Sequence, residues 1–290
     1  MRADAKRGFT DVSLIAAIEE CVLSEEGVWK GTIAGRRVES RGSGTTLVLI
    51  HGVALDLTMW ARISERLAAD FRVVLYDTIG HGPGPHPASP YDIVQYADQL
   101  NEILETLAIE SCIPVGFSMG GLIAEQFALS YPQKTKALVV LNSVFQRSEA
   151  ERAEVIKRVI AAETATEFVG LAAGIERWFT PSFREAHPEV VAQVAKQMAQ
   201  NDLRAFAAAY RVFATADETI APRIGEIKCP ALIATGSDDQ RSTAVMAVRL
   251  AERLPNGRAE ILPAQRHLTP IEIPDELASM IGDFVARLER

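Results

Sequence analysis

SCIPVGFSMGGLIAEQFALSYP, residues 111–132, holds the reading of the fold in one stretch. It begins as an apolar run, passes through Gly116-Phe117-Ser118-Met119-Gly120, and continues as a helix-like segment that stops at Pro132. A run apolar on both faces suits a strand buried in a parallel sheet. A serine between two glycines at a strand-to-helix turn matches G-x-S-x-G. The turn is crowded, so neighbouring Cβ atoms have no room and the serine is held in a strained conformation. The pentapeptide by itself is common, and a structural turn is its plain reading. The strand before it and the helix after it favour an exposed nucleophile.

Outward from this stretch the same alternation recurs. TTLVLIHG (45–52), FRVVLYD (71–77), KALVVLNS (136–143), PALIATGSDD (230–239) and AEILPAQRH (259–267) read as further buried strands. MWARISERLAAD (59–70) and IVQYADQLNEILETL (93–107) read as amphipathic helices. Strands alternating with helices predict an α/β fold with a mostly parallel, doubly wound sheet flanked by helices. The alternation stops over residues 144–222, an alanine-rich, charged and helix-like region. It reads as a helical cap inserted over the edge where such sheets bind ligands. The expected organisation is a helical extension over 1–30, a core over 31–143 and 223–290, and the cap over 144–222. Apolar spacing over 11–26 predicts a helix capped by Asp11, for packing or dimer contact.

The chain has 290 residues, 48% of them hydrophobic and 23% charged, as in soluble globular proteins. Its formal net charge is −8 and it has no long basic run, so nucleic-acid binding has little electrostatic support. The three cysteines, Cys21, Cys112 and Cys229, are scattered, with no CxxC pair, disulfide framework or zinc spacing. No run reaches the ~20 apolar residues of a membrane-spanning helix, and no signal-peptide core appears near the start. The expected compartment is the cytoplasm. The expected partner is a small-molecule substrate, with no nucleic acid, no membrane and no metal; self-association stays open.

A serine hydroxyl needs a base to take its proton, and the base is a histidine oriented by a carboxylate. His51 and His81 lie in glycine-rich turns that reach the rim of the site but precede the serine. His51 either borders the substrate pocket or structures its loop. His86 sits in a proline-rich loop and His187 in the cap. His267 follows the last strand-like run, where a loop returns to the carboxyl edge of the sheet. LIATGSDDQ offers Asp238 and Asp239 as the acid. A tetrahedral intermediate needs two backbone donors. These are the N–H of Met119, after the nucleophile, and that of Val53, in the loop after LVLIHG.

In their order, LVLIHG…MW, YDTIGHG, GFSMGG, ATGSDD and RHLTPIE resemble the α/β-hydrolase superfamily over roughly residues 30–288. Within the cap, IERWFTPSFREAHPEVV is similar to the 3-oxoadipate enol-lactonases and their relatives, which hydrolyse a small carboxylated enol-lactone in aromatic-compound breakdown. The resemblance implies a catalytic triad of Ser118, Asp239 and His267, with no cofactor, under a helical cap. It favours Asp239 over Asp238, because Asp239 stands three residues after Gly236 in the family's G-x-x-D turn. Some relatives carry the acid one strand earlier; here that stretch has Asn142. By position Trp178 faces the pocket or packs in the cap. Arg266 replaces a usually small residue and either is exposed or meets an anionic substrate.

The expected function is a serine hydrolase cleaving a small carboxylic ester or lactone through an acyl-enzyme, a carboxylated enol-lactone among them. Cleavage of a C–C or amide bond by the same triad is the rival enzyme reading. A non-catalytic small-ligand receptor on the same scaffold is the rival of another class.

Overall fold

The computed structural model describes residues 18–23, 28–168 and 170–288. The six apolar runs form strands: β4 (Thr46–Ile50), β5 (Arg72–Tyr76), β6 (Ile113–Phe117), β7 (Leu138–Leu141), β8 (Ala231–Gly236) and β9 (Gly257–Leu262). All six pair in parallel, in the order β5-β4-β6-β7-β8-β9. The period of two along each strand sends alternate residues to opposite faces. Leu47, Leu49, Val73 and Leu75 join Trp60, Ile63 and Leu67 in one core layer. Val48, Ile50, Val74 and Tyr76 join the opposite one.

Helices cover both faces. α1 (Ala61–Leu67) and α11 (Pro274–Leu288) pack together on the first. α2 (Ile93–Thr106), α3 (Met119–Ser130) and α9 (Ala244–Arg253) cover the second. α2 starts at a capping box, Asp92 with Gln95, that satisfies the first orphan N–H groups reciprocally. α3 is buried from Met119 to Ala128, as a helix apolar nearly all round must be.

Three further strands extend the β5 edge and correct the expectation for the N-terminal region. β1 (Ile18–Leu23), β2 (Trp29–Ile33) and β3 (Arg36–Arg41) are antiparallel to one another, and β3 is antiparallel to β5. The helix expected over 11–26 is therefore replaced by a strand over 18–23; its other residues lie outside the described ones. Backbone pairing with β2 overrides the local helical spacing. The β2–β3 hairpin turns through Ala34 and Gly35, both at positive φ, which matches a two-residue loop.

Between β7 and β8 the described residues form α4 (Glu149–Glu163), α5 (Leu171–Trp178), α6 (Pro181–Ala186), α7 (Pro188–Ala199) and α8 (Leu203–Ile220). α10 (Thr269–Glu272) is one short turn ahead of α11. From β4 the chain steps to β5 on one side, then returns to β6 on the other. The carboxyl ends of β4 and β6 thus flank a topological switch point, where sheets of this kind bind ligands. Gly52-Val53 follows β4 and Ser118 follows β6 at that point. No helix among the described residues is long and apolar enough to cross a membrane.

Candidate active site

Ser118 sits between β6 and α3 with φ 54° and ψ −114°. A left-handed φ on a non-glycine residue is strained and persists only where its surroundings enforce it. The turn is enforced by close approach. A Cβ on Gly116 would lie 2.0 Å from the Gly120 carbonyl oxygen, and one on Gly120 would lie 2.2 Å from that of Ile50. Both glycines of G-x-S-x-G are thus demanded by backbone contact. The Ser118 N–H donates to the Leu141 carbonyl at 2.8 Å, and the Ser143 hydroxyl donates to the Ser118 carbonyl at 2.8 Å.

His267 arrives on the loop after β9. Its Nε2 lies 3.2 Å from Ser118 Oγ and its Nδ1 2.7 Å from Asp239 Oδ2. Asp239 follows β8, and its Oδ1 accepts the N–H groups of Arg241 and Ser242, each at 3.0 Å. Burial alone would raise this carboxyl's pKa. The charge of His267 and the bonds from His267, Arg241 and Asn142 outweigh it and hold the carboxyl below its ordinary range. Asp238 is exposed and accepts from Ser237 Oγ at 2.7 Å, away from the histidine.

Asn142, which stands where some relatives carry the acid, belongs to this network. Its Nδ2 donates to Asp239 Oδ2 at 3.0 Å and to the Arg266 carbonyl at 3.2 Å. Its Oδ1 accepts from Thr269 Oγ1 at 2.5 Å. Its φ of 47° is one that asparagine tolerates better than most residues. Reading the position only for its missing charge hides this donor role.

The loop after β4 is held by buried polar groups. His81 Nε2 accepts the Ala54 N–H at 3.0 Å, and His51 Nε2 accepts the Thr78 N–H at 3.0 Å. Asp77 accepts the Leu57 N–H at 3.0 Å and Arg37 Nε at 2.6 Å. Burial lowers the pKa of both histidines, that of His81 to well below the ordinary value. They act as neutral acceptors that shape the loop. His51 does not line the cavity, so its placement at the substrate pocket is corrected. Val53 does line it, and its N–H finds no acceptor among the described residues. Met119, as the first residue of α3, carries one of the helix's orphan N–H groups.

The cavity above Ser118 has a volume of about 440 Å³. Val53, Phe117, His267 and Leu268 form its floor, and cap-side residues such as Trp178, Phe206 and Tyr210 its walls. Trp178 lines it and packs over Gly174. Arg266 does not line it. Its Nη1 donates to the carbonyls of Glu176 at 2.6 Å and Phe179 at 3.1 Å, so the arginine clamps the end of α5. The same junction is tied by the N–H groups of His267 and Leu268 to the Trp178 carbonyl, at 3.0 and 3.1 Å. Glu272 accepts the Thr180 N–H at 2.9 Å and its hydroxyl at 2.5 Å. RHLTPIE is thus a joint between the histidine loop and the inserted helices. A side chain long enough to reach those carbonyls is the signal that Arg266 carries.

Four arginines line the cavity: Arg147, Arg158, Arg177 and Arg241. Sequence reasoning singled out none of them, because they come from separate elements far apart in the chain. Arg147 is paired with the buried Asp217 at 2.8 Å. Among the described residues there is no group of His, Cys, Asp and Glu side chains that could hold a metal ion.

A serine beside a histidine that a buried carboxylate holds, with two backbone donors nearby, can carry out acyl transfer. A protein-family profile described as the alpha/beta hydrolase fold matches residues 45–274. The chain is 31% identical over 238 residues to an (E)-2-((N-methylformamido)methylene)succinate hydrolase of Acinetobacter baylyi, covering 82% of this chain and 89% of that one. It is 28% identical to 3-oxoadipate enol-lactonase 2 of the same organism, over 79% of this chain and 84% of that protein. The solved enol-lactonase from Burkholderia xenovorans LB400 superimposes with a TM-score of 0.80 at 26% identity, covering 92% of this chain and all of that one.

Proposed function

The chain belongs to the alpha/beta hydrolase fold family and is a hydrolase, and on that premise we propose that it is a serine hydrolase cleaving a small carboxylic ester or lactone. The observation that carries this reading is the continuous chain of contacts from Ser118 Oγ through His267 to Asp239. Ser118 Oγ attacks the acyl carbon while His267 Nε2 accepts its proton. Asp239 fixes the ring through Nδ1 and offsets the charge of the imidazolium. The N–H groups of Val53 and Met119 stabilise the oxyanion. His267 returns the proton to the leaving oxygen, giving an acyl-enzyme. It then takes a proton from water, whose oxygen attacks the acyl group, and Ser118 is regenerated with release of the acid.

The enol-lactonase relatives support a lactone or ester. The formamido group in the name of the 31% identical relative favours amide hydrolysis as a second reading on the same triad. The test is hydrolysis of a soluble aryl ester by the wild type and by Ser118→Ala. A loss of about 10⁴–10⁶-fold in kcat is expected; full activity in the variant would refute the mechanism. Profiling on matched esters, lactones and amides separates the two readings.

A further inference from the structure

The chain as a whole is acidic, with a formal net charge of −8, yet its cavity gathers positive charge. Of the four lining arginines, Arg147 is matched by Asp217 and packs over the Phe213 ring at 4.4 Å. Arg158, Arg177 and Arg241 form no ion pair with a carboxylate among the described residues. They come from α4, the end of α5 and the loop after Asp239, and converge on one cavity. Arg158 and Arg177 are half-buried, and Arg241 stands exposed at the mouth. Arg158 uses Nε to bond Tyr210 Oη at 2.9 Å, which orients the rest of its donor fork. The one acidic side chain in the lining, Glu151, is engaged in capping α4 through Ser148. Burial first, and then the charges of Arg241 and Arg158, lower the pKa of Arg177 against smaller opposing effects of Tyr210 and Glu176, so Arg177 feels both other guanidinium groups.

Like charges brought together without partners are unfavourable unless an anion joins them. A guanidinium fork matches a carboxylate bidentately. Three arginines facing one engaged glutamate leave an excess of two positive charges, more than a single carboxylate neutralises. We propose that Arg158, Arg177 and Arg241 form a dicarboxylate subsite, so that the substrate carries two free carboxylates beyond its scissile acyl group. This rests on the ester or lactone hydrolase reading of the same cavity. Arg241 follows β8 and Val53 follows β4, on opposite sides of β6 and Ser118 in the sheet order. The charged part of the substrate therefore binds across the serine from the Val53 donor. The carboxylates fix which acyl carbon faces Ser118.

The experiment compares three aryl esters of similar length: a neutral ester, a half-ester with one free carboxylate, and a tricarboxylic monoester with two. In the wild type, kcat/KM should rise roughly 10-fold or more with each carboxylate, the worth of a charge-assisted hydrogen bond. Arg158→Gln/Arg177→Gln should lower the ratio of the doubly charged to the neutral ester by about 100-fold, mainly through KM. Arg177→Lys should keep part of the preference. The exposed Arg241→Gln gives an independent variant with little bearing on folding. Increasing salt should weaken the preference of the wild type. Equal use of all three esters, or a preference unchanged in the double variant, overturns the dicarboxylate subsite while leaving the hydrolase reading intact. A maximum at one carboxylate overturns the charge count. If the wild type turns over none of the esters, the ester reading fails instead. Calorimetry with succinate then decides the subsite: binding at least 10-fold weaker in the double variant supports it, and equal binding or none overturns it.

Discussion

Asn142→Asp puts a carboxyl group where the amide donor now meets Asp239. The Asn142 nitrogen lies 3.0 Å from Asp239 Oδ2, and both residues are buried. Two carboxylates at this spacing repel by roughly 5–6 kcal/mol at an effective dielectric of ~20. The pair avoids the repulsion by sharing one proton, and the shared proton replaces the lost amide donor. The pair therefore holds a proton in the folded protein at pH values where the unfolded chain has lost it. A carboxyl with a raised folded pKa destabilises progressively as pH rises above the ordinary value of ~4. At these two positions the wild type has no such limb: Asn142 does not titrate, and Asp239, held low, loses its contribution only as pH falls below ~4. Denaturant unfolding of both proteins from pH 5 to pH 8 should show the variant close to wild type at the acid end. The gap should widen by up to about 4 kcal/mol toward pH 8. A gap that stays constant with pH would show that Asn142 and Asp239 are not coupled as their hydrogen bond indicates.

Replacing Arg266 with methionine removes the two hydrogen bonds that Nη1 makes to the carbonyls of Glu176 and Phe179 at the end of α5. Stability should fall by about 1–3 kcal/mol in thermal unfolding, and kcat on an aryl ester should fall more than KM rises, because the histidine loop is loosened. His81→Phe leaves the buried Ala54 N–H without its acceptor, costing about 1–3 kcal/mol. Because burial depresses the pKa of His81, its neutral form contributes stability above the unfolded value of ~6.5 that is lost as pH falls below it. The variant should show a shallower loss of stability between pH 6.5 and pH 5. In the proposed mechanism Met119 acts through its backbone N–H, and its side chain is buried in the core. Met119→Leu should cost less than ~1.5 kcal/mol and keep most of the activity in a steady-state assay.

The parts of the fold that the sequence makes legible are those set by two-sided burial. The runs at 46–50, 72–76, 113–117, 138–141 and 231–236 are dominated by buried apolar residues and pair in parallel. The antiparallel edge is not legible in the same way. Arg36–Arg41 alternates buried and half-buried positions, and its buried set includes Arg36 and Ser40, so hydrophobicity gives no strand signal. In Ile18–Leu23 the helical spacing points away from the strand that forms. The contacts among Ser118, Asp239 and His267 follow from the order of three strand ends, which chain order reveals. Asn142 and Arg266 are a different matter, because each acts through a hydrogen bond whose partner lies more than eighty residues away. The cavity arginines show the same limit: only the fold, which gathers α4, α5 and the loop after β8 around one cavity, brings them together.

Covalent labelling tests the central claim most directly. The protein is incubated with a fluorophosphonate ester, digested, and each modified peptide is sequenced by mass spectrometry. The account predicts one fast adduct on Ser118, within residues 111–132, slowed by at least ~10³-fold in His267→Ala. An adduct on another residue, or labelling of Ser118 at the same rate without His267, would contradict it.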